Sequence, residues 1–466
     1  MASEREPVRD DQEKERRRGP RRTLSMTALS GLGIGGIIGA GFFLGSGIVI
    51  RESGPLVVGT YILGGVILAE VMGAITSLAI NVPVRTSYQE YIDRFLGSYL
   101  GFFLGWAVVI SGILSIGSEA VAMAVYSRTW VPSIALGVFA VTYVLIIVGL
   151  NLFGLANFGT IESLMSGVKT VVLVGFMAVA ALFMIGWLHH PSTIGVPVLL
   201  SRGGLAPHGL LSVLRGMLIV IFSYAGVTTL AMATSHAKDP AADIPRAAIV
   251  TTAGVVMLYA GSVLALLLLV PWTLLSPHQS PFVTALDHFG LGLPASVFNG
   301  AILVASFSVM AGTFYATEWM LITIALRRDA PRLFRHQGRG RPWAALIATA
   351  TAVLATLVLA FTLPRTVYTD LTAASSYFSF VNWLLILLAF AVWHQRARRP
   401  EHQVSRLVLF PPYGPWVMAA AVAALGAYSA TVPAFRLGFL VFAGLSLILT
   451  AIWFVFRRRE PTVVHH

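Results

Sequence analysis

The sequence predicts an all-α integral membrane protein of twelve transmembrane helices, and three observations carry that prediction. Hydrophobic residues make up 56% of the 466 positions and charged residues only 11%. Soluble domains carry about 25% charged residues, so most of this surface must face lipid. Apolar runs of about twenty residues, the length that crosses a bilayer, recur between polar or Pro/Gly punctuation. The basic residues, finally, gather on alternate loops.

The first 23 residues are polar, with Arg5, Arg9, Lys14, Arg16, Arg17, Arg18, Arg21 and Arg22 mixed among acids. Their composition predicts a disordered cytoplasmic tail. The apolar span behind them is full length, which argues against a cleaved signal peptide. Apolar runs then cover 25–49, 55–80, 98–126, 130–151, 159–187 and 212–234. Six more cover 247–270, 294–326, 343–362, 371–394, 414–431 and 435–456. With the N-terminus inside, 25 of the 32 basic residues fall on the inner side of these spans. Arg51, Arg128, Arg202, Arg215, Arg365 and Arg436 fall outside, and Lys169 lies within span 5. This bias predicts both termini in the cytoplasm. The net charge of +12 is therefore an orientation signal, not a nucleic-acid site. The absence of cysteine excludes disulfides and cysteine-based metal or nucleophile sites.

Span 1 contains SGLGIGGIIGAGFFLGSG, Ser30 to Gly47, with eight glycines among eighteen residues. Each glycine costs a helix about 1 kcal/mol relative to alanine. Either close helix packing or an unwound midpoint that exposes backbone N–H and C=O groups accounts for this density. In span 6, VIFSYAGVTTLAMATSHAKDP, Ser223, Gly226, Thr228 and Thr229 interrupt the apolar run. Interruptions at matching places in two halves point to a midplane site between repeats. Spans 1 and 6 lie five apart, which allows an inverted pair of spans 1–5 and 6–10.

An ionisable residue inside a span is a functional candidate by default. Lys169 is the strongest, either as a gating or coupling group or as a buried ion-pair partner. Glu119 in span 3 reads equally as a cavity acid or a structural partner. Glu70 in span 2 reads as structural, and Glu162 and Glu318 as end-capping or snorkelling acids. Phe222, Tyr224 and Trp106 are candidate pocket walls, with Tyr377 and Asn382 as further pocket candidates in span 10. No histidine spacing suits a metal, no GxxxxGK[ST] stretch suggests ATP, and neither HExxH nor paired carboxylates suggest an enzyme. A secondary transporter that needs no cofactor is the expectation. A channel or sensor would not require paired breaks.

Several segments together resemble the amino acid–polyamine–organocation superfamily, most closely its bacterial amino acid permeases. They are IGGIIGAGFFLGSG in span 1, PVRTSYQEYIDRFLGSYLGFFLGW before span 3 and FGTIESLMSGVKTVVLV in span 5. FSYAGV and AKDPAADIPRA around span 6, and SFSVMAGTFYATEWML in span 8, complete the set over roughly residues 25–400. The resemblance implies a five-plus-five inverted-repeat core with discontinuous helices 1 and 6, plus two peripheral helices. The expected organisation is a cytoplasmic tail over 1–23, a ten-helix core over 24–395 and a loop over 396–412. Peripheral helices over 413–456 and a second tail over 457–466 follow.

By that resemblance, Gly39, Ala40 and Gly41 receive a substrate carboxylate. The carbonyls of Ile37, Ile38, Phe222, Ser223 and Ala225 surround the substrate amine. Lys169 takes the place that a sodium ion fills in sodium-coupled relatives, with Ser308 facing it as a second coupling residue. Selectivity would rest on Glu119, Tyr224, Thr228 and Ser379. The sequence departs from the family where Thr228, His236, Ala311, Trp319 and Ser77 replace more usual residues. The implied activity is amino acid transport across the bacterial inner membrane by alternating access, with proton symport expected. Exchange of amines or cationic amino acids is the alternative. Lipid, protons and a small amino acid or amine are the implied partners.

Overall fold

The computed structural model describes residues 24–82, 84, 87–153, 158–188, 194–226, 237–276, 278–335, 342–362, 367–396 and 403–457. The two tails, Thr228, His236 and the Glu162 side chain lie outside that set.

The described chain is helical. Only an isolated bridge, Leu24 to Ala237, has β character among the described residues. Span 1 is built as α1 (Met26–Ile37), α2 (Ala40–Phe43) and α3 (Gly45–Ser53), and span 2 as α4 (Val57–Asn81). An amphipathic α5 (Gln89–Leu96) precedes α6 (Ser98–Arg128), α7 (Leu136–Phe153) and α8 (Phe158–Met184). Short α9 (Val196–Leu200) and α10 (Ser212–Arg215) lead to α11 (Met217–Tyr224), the described part of span 6, and then to α12 (Pro240–Leu269). The chain continues through α13 (Pro281–His288), α14 (Gly292–Leu326), α15 (Trp343–Thr362) and α16 (Val367–Arg396). It ends in α17 (Gly414–Ser429) and α18 (Arg436–Arg457). Eight described helical stretches are long and apolar enough to cross a membrane, and three shorter apolar helices accompany them.

Most span limits fall within a few residues of the apolar runs. Span 7 starts seven residues early because Asp239 accepts a hydrogen bond from the Ala242 N–H and Pro240 opens the helix, an N-terminus that apolarity alone does not mark. Glu318 corrects an expectation: it is 6% exposed, not snorkelled. α14 runs on to Leu326, about two turns beyond it, so Glu318 is not at a helix end.

α6 is the central helix, packed against α14 and α16. Two glycines, one heptad apart, set its approach to the antiparallel α14. A Cβ at Gly105 would lie 2.5 Å from Ile324, and one at Gly112 would lie 2.0 Å from the Thr317 hydroxyl. Small residues let backbones close in a medium where apolar burial gives helices no preference for each other.

The segment 403–409 runs without helix along α4. Non-helical backbone packed against a helix needs partners for its polar groups. Asn81 exchanges two hydrogen bonds with Gln403, the Ser405 N–H donates to Ser77 Oγ at 2.9 Å, and the Leu409 N–H donates to Glu70 at 2.6 Å. Glu70 is thereby structural.

Filling the α6–α14 seam should cost about 1–3 kcal/mol by overpacking. Gly105→Leu should therefore lower the thermal midpoint of the detergent-solubilised protein. Gly175→Leu, at a position with open space around it, should stay within about 0.5 kcal/mol; equal midpoints for the two would refute the seam.

Candidate substrate site at the helix breaks

The break in span 1 follows from two residues. Ile38 has φ −79° and ψ 102°, and Gly39 is extended at φ −148° and ψ −160°. A helix that stops inside a membrane leaves its last carbonyls and the next helix's first amides without partners. One local bond and several tertiary contacts supply partners. The Ile34 carbonyl takes the Ile38 N–H at 3.1 Å. The Gly35 carbonyl takes the Lys169 ammonium. The Ile37 carbonyl takes the Tyr259 hydroxyl at 3.1 Å. Beyond the break, the Ala40 N–H donates to both Glu119 oxygens at 3.2 and 3.1 Å.

The charges match the helix dipoles. A cation sits at the carboxyl end of α1 and a carboxylate at the amino end of α2, the favourable sense for each. Both groups are buried, Lys169 at 1% exposure and Glu119 at 2%. Lys169 also donates to Ser308 Oγ at 2.9 Å, which brings the two expected coupling residues together.

The span-6 break sits against the first. A Cβ at Gly226 would lie 2.0 Å from the Gly36 carbonyl oxygen, so only glycine allows this approach. The Ser223 hydroxyl donates to the Gly41 carbonyl at 2.5 Å, and Tyr259 reaches the Ser223 carbonyl at 3.3 Å as well as Ile37. The Tyr368 hydroxyl holds the Ala40 carbonyl at 2.8 Å. Tyr259 and Tyr368 were not singled out from the sequence. Their only signal there is a phenol inside an apolar span, which needs a polar partner in lipid.

A pocket opens at these breaks. Gly36, Ile37, Gly41, Glu119, Phe222, Ala225 and Gly226 form one end of it. It continues along α6, α14 and α16 past Ser111, Thr313, Thr317, Ser375 and Ser379 to Tyr88 and Asn382. On the other side of the breaks the bundle is filled. Phe42 stacks on Tyr259 at 3.8 Å, and Tyr61, Tyr224, Phe282 and Phe298 pack around them. Phe298 and Thr313 lie on α14 about 22 Å apart by helix rise, so the aromatic layer and the pocket occupy opposite halves.

The expected site residues therefore separate. Ile37, Gly41, Glu119, Phe222 and Ala225 line the pocket, as do Ser379 and Asn382. Ile38, Gly39, Ala40 and Ser223 form its backbone support. Tyr224 lies in the aromatic layer with its hydroxyl on the Tyr61 carbonyl at 3.0 Å. Trp106 spends its indole N–H on the Asp329 carbonyl at 3.0 Å and is no pocket wall. Tyr377 packs against Phe439 and Phe442 instead. The hydroxyl wall of Ser111, Ser375, Thr313 and Thr317 is new to the structure. Among the described residues, no group of three acidic, His or Cys side chains could hold a metal ion.

A bundle of long apolar helices, one of them interrupted beside a pocket, defines a multi-pass membrane protein. The amino acid permease family model matches residues 29–459. The chain belongs to that family, within the amino acid–polyamine–organocation superfamily. It is similar to the gamma-aminobutyric acid permease of Bacillus subtilis, 29% identical over 84% of this chain and 83% of that protein. Similarity to the aromatic amino acid transport protein AroP of Escherichia coli is 28% identity over 83% and 84% of the two chains. An uncharacterised amino acid permease of Bacillus subtilis, YtnA, is 27% identical over 93% and 94%.

Tyr259→Phe removes the donor from two buried carbonyls, at a cost of about 1–3 kcal/mol. Its thermal midpoint should fall clearly below that of Tyr413→Phe, at an exposed side chain. A midpoint equal to the unaltered protein would show that Tyr259 does not hold the breaks.

Proposed function

We propose that this chain is a secondary transporter that carries amino acids across the bacterial inner membrane by alternating access, coupled to protons. The observation that supports it best is the pair of charged caps, Lys169 and Glu119, on either side of one helix break that opens into a pocket. A substrate carboxylate arriving at the Ala40 amide meets Glu119 already there. A proton taken up by Glu119 would remove the repulsion between the two and free the amide. The substrate ammonium would then face the carbonyls of Ile37, Phe222 and Ala225. Lys169 with Ser308 would hold the α1 end in place of a metal cation and change partners as the pocket changes sides.

The relatives named for gamma-aminobutyric acid and for aromatic amino acids are nearly equally similar to this chain. They favour amino acids as a class and no single member of it. The finer architecture belongs to the same proposal. Twelve spans would divide into a five-plus-five inverted repeat over 24–395 and two peripheral helices over 413–456. Both termini, 1–23 and 457–466, and the loop 396–412 would lie in the cytoplasm. With that orientation the pocket faces inward, and the aromatic layer is the closed outer gate. A second reading, exchange of amines or cationic amino acids, draws on Glu119, the only carboxylate among the described residues that line the pocket.

Proteoliposomes are the decisive system. Acid outside should drive amino acid uptake above the rate seen without a gradient. Lys169→Ala should reduce that net uptake more than it reduces binding, and an unchanged pH dependence in the variant would remove Lys169 from coupling. Gly39→Leu would drive a side chain into Glu119 and Val309, each 2.9 Å from a Cβ there. It should abolish binding in a protein that still inserts, and normal uptake would discard the carboxylate site.

A further inference from the structure

Glu119 lines the pocket, and behind it, outside that lining, stand two hydroxyls that the proposed cycle does not use. Tyr126 follows Glu119 on α6 by seven residues, so the two share one face of the helix. A long helical side chain leans toward the N-terminus of its helix, which for Tyr126 is back toward Glu119. The facing helix α14 supplies the second hydroxyl. Asn299 on α14 donates to the Tyr126 carbonyl at 2.9 Å, which sets the antiparallel register of the two helices here. Seven residues further in on each helix, the same register places Ser306 opposite Glu119. Ser306 adjoins both the Glu119 carboxyl and the Tyr126 phenol, yet completes a hydrogen bond of normal geometry to neither. Both side chains are buried, Ser306 at 0% and Tyr126 at 1% exposure. Among the described residues, neither hydroxyl has a hydrogen-bond partner.

A buried hydroxyl without a partner is costly. Two of them beside one carboxyl make a second hydrogen-bonding position for it. The first position is the Ala40 N–H, which both Glu119 oxygens now accept. A substrate carboxylate needs that same amide, and the two carboxyl groups cannot hold it together. We propose that Ser306 and Tyr126 form a receiving position for the Glu119 carboxyl, which moves onto them by a change of rotamer when substrate takes the Ala40 amide. This rests on the amino acid transport reading and adds two positioning residues to it. Hydroxyls suit the move because each can donate and accept. A protonated carboxyl also does both, so it pairs with them in either sense. The exchange leaves no partner missing. Substrate replaces Glu119 at the amide, and Glu119 satisfies two groups that had nothing to bond. Without those hydroxyls the displaced carboxyl would be buried without partners, at a cost that substrate binding would have to offset.

Tyr126→Phe and Ser306→Ala remove only these hydroxyls from the purified, full-length chain. Deleting a buried hydroxyl that lacks a partner does not destabilise, so each variant should keep or exceed the ligand-free thermal midpoint of the unaltered protein. The probe is whichever of the twenty amino acids stabilises the unaltered protein most. Its affinity, read from the concentration dependence of the midpoint, should fall about fivefold in each variant. Thr349→Val removes another buried hydroxyl without a partner, on α15. That control should leave affinity within about twofold. In a Glu119→Ala background, adding Tyr126→Phe should weaken binding no further. Unchanged affinity in both single variants, an equal fall in Thr349→Val, or a fall that persists without Glu119 would overturn the receiving position and leave amino acid transport standing. A ligand-free midpoint that drops together with affinity would also overturn it, since the hydroxyls would then be structural. No stabilisation of the unaltered protein by any of the twenty amino acids would overturn both this inference and the function beneath it.

Discussion

The structure depends on how a helix can stop halfway through a membrane. At Ile38 and Gly39 the backbone leaves helical geometry, and the groups it frees need other hydrogen-bond partners. The vacated carbonyl of Gly35 is met by an ammonium, that of Ile37 by a phenol, and the amide of Ala40 by a carboxylate. Each partner comes from a different helix, respectively α8, α12 and α6. The break therefore ties those helices to one point, and the second break reaches the same point through Gly226 and Ser223. The opposite charges of Lys169 and Glu119 are tolerable at this depth because each lies at the helix end whose dipole favours it.

The same rule governs the rest of the bundle. The non-helical segment 403–409 packs beside α4 because Glu70, Ser77 and Asn81 offer it partners along three turns of that helix. The pocket wall obeys it too, since the Ser111 and Ser375 hydroxyls on α6 and α16 bond each other's backbone carbonyls. The aromatic layer around Phe42 and Tyr259 fills its half of the bundle by stacking, while its Tyr259 and Tyr224 hydroxyls bond buried carbonyls.

Much of this was legible in the residues. Apolar runs placed the long helices because a bilayer imposes one length, and the glycine density of span 1 marked the unwound point because no continuous helix gains from it. Lys169 stood out as a lone cation in an apolar span, and the structure sets its ammonium on Ser308 and the break. What could not be read was which neutral polar residue points inward. Tyr259, Tyr368, Ser111 and Ser375 resemble other tyrosines and serines of the spans until the helices are rotated into place. Trp106 looked equally suited to a wall and instead bonds the Asp329 carbonyl. Glu318 looked like a terminal acid because it lies toward the inner end of its span, yet it is buried two turns before the helix stops.

The sequence by itself determined the all-helical membrane class, the order and approximate limits of the long apolar helices, and the weak point in span 1. Those follow from composition, length and backbone propensity, which are local. Tertiary structure alone decided that Glu119 occupies the Ala40 amide, that Tyr259 bridges both breaks, and that the hydroxyls of three helices form one pocket wall. These depend on helix rotation and on glycine contacts such as Gly112 with Thr317. No single segment encodes them, because each is a relation between residues far apart in the chain.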